Sequence, residues 1–278
     1  MPDPACYADL HVHSSASDGD SAPEALVDAA VEAGLKAISL TDHDTVAGLE
    51  RAQARGRERG LEVIPGTEMT VYVGRVELHL LAYFFDHDPA CPLMTLLRDV
   101  VRHRRERAVE MAARLRAAGV DLSDAEVLAA GASSASLGQP HVAEALVRKG
   151  YAPNIQVAIR KYLREGRAGF VQKMGLTPLE ALKAIHDSGG IAVLGHPGVN
   201  PHDELIAPLF GQGLDGLEAY YPLHNDVNRR FYAGLARRYE KGIAGGSDFH
   251  GPRVRPEVRL GAIGVSREEL DDLRRRAE

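Results

Sequence analysis

Short apolar runs alternate with helix-patterned stretches along most of this chain, and that alternation narrows the fold more than any other feature. Ala8–Val12, Lys36–Thr41, Leu61–Pro65, Ile191–Leu194, Gly216–Ala219 and Ile243–Gly246 read as strands. Pro23 suits a first helical turn, because its missing N–H would be unpaired there anyway. Leu26, Val27, Ala30 and Val31 then mark a buried stripe that Gly34 closes. Val46–Arg59, Pro178–Asp187, Asp203–Phe210 and Asn225–Tyr239 supply further helices. Strands alternating with helices predict parallel pairing through right-handed crossovers, hence a barrel or a doubly wound sheet. Met69–Val73 and Val76–Phe84 depart from this rhythm: they flank Gly74-Arg75 and predict a hairpin.

From Pro89 to about Val171 the pattern is almost wholly helical, with Leu93–Ala118, Ser123–Ala130, His141–Lys149 and Asn154–Glu165 as its segments. The predicted organisation is therefore an α/β part over residues 1–86 and 173–278, interrupted by a helical insertion at 87–172. Arg267–Glu278 reads as a charged terminal helix. With 33 basic against 39 acidic residues the net charge is −6, which gives no sign of a general nucleic-acid binder. No apolar run reaches the roughly 18 residues of a membrane span, and the start of the chain lacks the basic and apolar regions of a secretory signal. Two cysteines, Cys6 and Cys91, make no disulfide framework and fit a cytoplasmic compartment.

Histidine is the residue type that points to chemistry, with 12 copies. The first strand ends in His11 and His13, with Asp18 in the loop beyond. The second runs into Thr41-Asp42-His43-Asp44, and the third into Gly66-Thr67-Glu68. His79 lies on the hairpin, His196 follows Leu194, and Asp248 and His250 follow Gly246. In a parallel barrel, side chains at the C-terminal ends of strands converge on one rim. Residues i and i+2 of a strand share a face, so His11 with His13, and Asp248 with His250, each present a pair. Imidazoles and carboxylates without thiolates suit Mn²⁺, Zn²⁺ or Fe²⁺. Nine such residues exceed the needs of one ion, so two or three divalent metal ions are implied, with Glu68 the natural bridge because its carboxylate has two oxygens. Each residue has a plainer reading too: Asp44 suits a helix cap and Asp18-Gly19 a turn. His87, His103, His186, His202 and His224 fall outside the pattern and are read as structural.

Asp9-Leu10-His11-Val12-His13, Thr41-Asp42-His43-Asp44, Gly66-Thr67-Glu68, Gly195-His196-Pro197 and Gly246-Ser247-Asp248-Phe249-His250 together resemble the signature of the polymerase and histidinol phosphatase (PHP) family. That resemblance implies a distorted (β/α)7 barrel with a trinuclear metal centre. Within the family, the order and length look like the 3′,5′-nucleoside bisphosphate phosphatases, also described as 5′→3′ exoribonucleases. Ala16-Ser17-Asp18-Gly19, Pro140-His141 and Lys161-Tyr162-Leu163 extend the likeness across nearly the whole chain. Carried over position by position, the likeness gives His11, His13, Glu68 and Asp248 to a first metal. Asp18, His43 and His250 go to another, and Glu68, His79 and His196 to a third. Relatives often carry Arg after His-Pro-Gly; here the residue is Val199.

The expected reaction is phosphoester hydrolysis. Two metals about 3.5–4 Å apart hold a hydroxide that attacks phosphorus in line with the departing 3′ oxygen, and the cations neutralise charge on the other oxygens. Manganese is the first choice of metal. His141 is the expected proton donor to the leaving oxygen and stands with Asp248 as a catalytic residue. Asp44, His141, Lys161, Arg164 and Arg167 are the expected substrate contacts, with Lys173 completing the cationic junction. The substrate is then a small nucleotide, with short single-stranded RNA as a second candidate; no membrane or protein partner is indicated. The main alternative is a phosphatase of a small metabolite such as histidinol phosphate. A metal-stabilised module without activity is disfavoured, because all nine positions carry competent residue types.

Overall fold

The structure, a computed structural model, describes residues 6–132, 134–172 and 176–278. The chain divides into two compact units: residues 1–96 with 176–278, and residues 97–175.

In the first unit, β1 (Ala8–Val12), β2 (Ala37–Leu40) and β3 (Glu62–Ile64) form a parallel sheet in that order. Helices α1 (Pro23–Glu32) and α2 (Leu49–Arg59) make the crossovers. Pro23 does occupy the first turn of α1, and α2 stops at Gly60, whose φ of 69° is open to glycine at little cost. A second sheet has the order β4 (Gly66–Val73), β5 (Val76–Tyr83), β6 (Ile191–Leu194), β7 (Gly216–Tyr220), β8 (Gly242–Gly245). The β4–β5 hairpin forms around Gly74 and Arg75 as the sequence predicts.

Uniform parallel pairing does not hold: β4–β5 and β5–β6 are antiparallel, while β6–β7 and β7–β8 are parallel. A two-residue turn can only reverse the chain, so β5 runs against both of its neighbours. Among the described residues the ladders do not close into a ring. Only isolated bridges, Val12 with Phe249, His43 with Glu68 and Ala8 with Val265, link the regions outside them. Both sheets nevertheless feed one core, in which Leu10, Ile64, Leu81, Tyr83, Val193 and Ala244 meet Leu270 and Leu273 of the terminal helix. Tyr83 satisfies its buried hydroxyl by donating to the Leu10 carbonyl at 2.8 Å. The helices Pro178–His186 and Arg267–Ala277 begin with Thr177/Glu180 and Ser266/Glu269 capping boxes.

The second unit is helical. It holds most of α3 (Pro92–Ala117), then α4 (Asp124–Ala130), α5 (Gln139–Arg148) and α6 (Ile155–Ala158), packed around Met111, Leu115, Leu122, Val142, Leu146 and Leu163. The single helix predicted over Asn154–Glu165 is instead one α-turn followed by a widened π-turn, Ile159–Leu163. There the Arg164 N–H reaches the carbonyl of Ile159, five residues back. In the first unit, Asp203–Phe210 likewise opens with a 3₁₀ turn, Asp203–Leu205, before an α-helix over Ile206–Gly211. No helix among the described residues is long and apolar enough to cross a membrane.

Glu126 is held low, to about 2, by the Ser123 backbone N–H, Lys149 and the Ser123 hydroxyl, against an ordinary value of 4.5. A depressed carboxyl contributes stability above its unfolded pKa and loses it as pH falls through the folded one. The stability gap between wild type and Glu126→Gln should therefore be full above about pH 4.5 and shrink towards pH 2. Denaturant unfolding across that range tests it, and a pH-independent gap would contradict the assignment.

Candidate metal centre

The nine sequence-predicted ligands all belong to the first unit, and the structure gathers them around Glu68. Glu68 is buried and uses both oxygens. Oε2 lies 3.3 Å from His11 Nε2, 3.1 Å from His13 Nε2 and 3.2 Å from His43 Nδ1. Oε1 lies 2.5 Å from His79 Nδ1 and 3.1 Å from His196 Nε2. Asp248 Oδ1 sits 3.2 Å from His13 Nε2 and 3.3 Å from His250 Nδ1. Asp18 lies 3.4 Å from His250 Nε2 and 3.7 Å from His43 Nε2.

Not every ligand sits where the strand-end pattern puts it. His13, His43, His196, Asp248 and His250 do fall just beyond β1, β2, β6 and β8. Glu68, however, lies inside β4, and His79 is in the middle of β5. Thr70 faces His79 across the hairpin, so Glu68, two residues earlier on the same face, is its diagonal neighbour. A buried hairpin face thus serves where a strand end was expected.

Groups that the spacing did not single out hold the ligands in place. Glu218, fully buried in β7, accepts from His11 Nδ1 at 2.8 Å and from the His196 backbone N–H at 2.6 Å. The proton of His11 is thereby fixed on Nδ1, leaving Nε2 to face Glu68. Its signal was available: an acid inside the apolar run Gly216–Tyr220. Asp42 accepts from Ser14 and Ser17, folding the loop that carries Asp18. Asp9 accepts the N–H groups of Ser247 and Gly261, and burial pushes its carboxyl up to about 6. Tyr221 and Arg255 both reach Asp248 Oδ2. His224, read as structural, donates from Nδ1 to the Ala219 carbonyl and accepts the Gly198 N–H on Nε2.

Backbone strain collects here as well. Of the five non-glycine residues with positive φ among the described residues, three are Asp44, His196 and Asp248. Gly246 allows the closest approach. A Cβ on it would lie 2.3 Å from the His11 nitrogen, so any side chain would drive the end of β8 away from β1. Asp44, expected to touch substrate, turns its Oδ1 to the Thr70 N–H at 3.0 Å and its own N–H to the Glu68 carbonyl at 2.8 Å.

His141, Lys161, Arg164 and Arg167 lie in the second unit, and Lys173 falls outside the described residues. His141 opens α5 and accepts the Gly138 N–H on Nδ1 at 3.0 Å. Lys161 lies over the Tyr162 ring. Lys161, Arg164 and Arg167 are exposed and have no acidic partner among the described residues.

The donor set fits divalent metal ions. Bonds of about 2.1 Å place neighbouring ligand atoms roughly 3.0–3.4 Å apart at octahedral or tetrahedral angles. His11 Nε2 and His13 Nε2 stand 3.1 Å apart, and both lie at such distances from Glu68 Oε2. The Nδ1 atoms of His13 and His43 are buried without a hydrogen-bond partner among the described residues. Three overlapping groups have ligand atoms close enough to share an ion: His13, Asp18, His43 and His250; His11, His13 and Glu68; and His43, Glu68 and His79. His13 and His43 each appear twice, whereas the pattern carried over from the family gave each to one metal.

Residues 9–165, more than half of the chain, match the model of the PHP domain. The chain belongs to the PHP family. It is 35% identical over 253 residues to a 5′-3′ exoribonuclease of Haemophilus influenzae, covering 88% of this chain and 90% of that protein. It is 32% identical over 250 residues to a 3′,5′-nucleoside bisphosphate phosphatase of Chromobacterium violaceum, covering 88% and 87%. An inferred metal-dependent phosphoesterase from Bifidobacterium adolescentis superposes with a TM-score of 0.87 at 28% identity, covering 98% of this chain and 97% of that one. This PHP protein is accordingly a metal-dependent phosphoesterase, a hydrolase whose His/Asp/Glu cluster has the means to bind metals.

Without metal the cluster stores protons. Burial alone would lower His13, but hydrogen bonds to Asp248 and Glu68 raise it to about 10. Burial is likewise overcome at His79, which Glu68 raises to about 9. His43 is lowered to about 4, burial prevailing over the pull of Glu68 and Asp18. Glu68, Asp18 and Asp248 stay well below the usual carboxylate range, the imidazoles outweighing the cost of burial. His13 and His79 are thus held in their protonated form, and divalent ions bound there would displace those protons. Calorimetric titration with Mn²⁺ in buffers of different ionisation enthalpy should show at least two protons released, with affinity rising from pH 7 to 9. Proton-neutral binding would contradict this charge state.

Proposed function

We propose that this PHP protein removes the 3′-phosphate from nucleoside 3′,5′-bisphosphates, and that it trims short 5′-phosphorylated RNA by the same chemistry. The observation that carries the reading is Glu68, one buried carboxylate shared by five imidazoles, in a chain whose relatives of about 35% identity are named for nucleotide and RNA substrates. His11, His13, Asp18, His43, Glu68, His79, His196, Asp248 and His250 would hold two or three divalent ions, with Mn²⁺ the first choice. Such ions supply Lewis acidity, lowering the pKa of water towards roughly 7 and neutralising charge on phosphoryl oxygens.

The protein's own groups do the rest. Glu218 holds the His11 ring and the His196 backbone, so the ligands need little rearrangement. Asp42 and Asp9 hold the two loops that deliver Asp18 and Asp248. His141, whose Nδ1 accepts the Gly138 N–H, is assigned to carry a proton for the departing 3′ oxygen. Lys161, Arg164 and Arg167 are assigned to the 5′-phosphate, since guanidinium groups match phosphate by paired hydrogen bonds. The same reading takes the strands as parts of one distorted barrel, residues 87–172 as an inserted helical domain, and the cytoplasm as the compartment.

Purified protein loaded with Mn²⁺ should release inorganic phosphate from 3′-phosphoadenosine 5′-phosphate faster than from histidinol phosphate, and chelation should abolish the activity. Preference for histidinol phosphate would favour the small-metabolite reading; undiminished activity after chelation would overturn the metal chemistry. Arg164→Ala or Arg167→Ala should raise KM about tenfold for substrates with a 5′-phosphate and leave it nearly unchanged for those without. Equal effects on both would remove these residues from the assignment.

A further inference from the structure

A guanidinium is anchored at the edge of the nine-residue cluster. Arg255 Nη1 contacts Asp248 Oδ2 and lies 3.2 Å from the Asp248 carbonyl. Among the described residues it is the one Arg or Lys in contact with any of the nine. Its placement is built rather than incidental. Asp20 donates its N–H to the His250 carbonyl at 2.9 Å, and its Oδ2 accepts the Arg253 N–H at 2.8 Å. The Arg255 N–H then closes a turn onto the Gly251 carbonyl at 2.9 Å. Gly251 has φ of 92°, and a Cβ there would lie 1.7 Å from Asp20 Oδ1, so only glycine makes this turn.

The side chain is 28% exposed, and both of its hydrogen bonds to Asp248 run through Nη1. The edge formed by Nε and Nη2 makes none to a carboxylate or carbonyl among the described residues, and the guanidinium's other hydrogen-bonding neighbour is Tyr221. An ion pair with Asp248 alone requires only a point charge; the planar fork is left over. Two parallel donors on such an edge match two oxygens of one phosphoryl group. Val199, on the exposed turn after His196-Pro197-Gly198, offers no competing cation. We infer that Arg255 uses its Nε–Nη2 edge to hold two non-bridging oxygens of the phosphoryl group being hydrolysed. Its neighbours Asp248 and Tyr221 keep the fork in register, Tyr221 donating to Asp248 Oδ2 at 2.7 Å.

This role rests on the phosphoesterase reading above, and the test separates the two. Calorimetry gives the Mn²⁺ stoichiometry of wild type, Arg255→Gln and Arg255→Lys, and then the binding of inorganic phosphate to each Mn²⁺-loaded protein. Arg255→Gln should bind as many Mn²⁺ ions as wild type yet bind phosphate at least about tenfold more weakly. Its kcat/KM for 3′-phosphoadenosine 5′-phosphate should fall about 10²-fold, as on loss of a donor to a developing oxyanion. Arg255→Lys keeps the charge without the fork and should recover only part of both losses. Unchanged phosphate binding in Mn²⁺-loaded Arg255→Gln would overturn the inference. So would loss of Mn²⁺ from Arg255→Gln with full recovery in Arg255→Lys, because Arg255 would then only position Asp248. Wild-type protein that binds no phosphate and cleaves no phosphoester would instead sink the functional reading, and this inference with it.

Discussion

The attraction between one buried carboxylate and the imidazoles around it organises this protein. Placing Glu68 among the strands without partners would be prohibitive, since an isolated buried charge costs many kcal/mol. Five imidazoles from β1, β5 and the segments just after β1, β2 and β6 meet its two oxygens. Their mutual crowding is tolerable only because protons or cations balance the acids. The same arithmetic makes the site a chelator: groups that hold protons against one another release them to a divalent ion.

A cluster of this kind needs a frame that resists rearrangement. Much of the frame is polar and buried. Glu218, Asp42 and Asp9 each spend a carboxylate on backbone N–H groups, hydroxyls or a ligand's ring, and none of the three was among the predicted ligands. Small residues matter as much, because Gly246 lets β8 approach β1 to a distance no side chain would permit. Positive φ at Asp44, His196 and Asp248 shows where the backbone yields so that the ligands converge.

Much of this was legible along the chain. Ala8–Val12 and Ile191–Leu194 have the bounds that their apolar runs predict, and the Gly74-Arg75 hairpin forms as turn chemistry requires. His11 with His13, and Asp248 with His250, could be paired because a two-residue spacing is a local property. Glu68 was expected where the third strand ends but lies inside β4, beside the hairpin residue His79, since hydrophobic period does not reveal which strand lies next to which. The π-turn at Ile159–Leu163 was hidden for a related reason: its apolar spacing is nearly that of an ordinary helix.

The residue types alone determined that acids and imidazoles alternate with strands and helices, and hence that borderline divalent cations suit the chain, while phosphoester chemistry followed from the motifs' resemblance to the PHP family. Only the tertiary structure decided that Glu68 shares its oxygens among five rings, that Glu218 sets the His11 tautomer, and that Arg255 stands at the cluster against Asp248. Local preference extends over a few residues, whereas Glu68 and His196, or Asp9 and Ser247, are brought together across more than a hundred positions by strand order and close backbone contact. No local pattern encodes those distances.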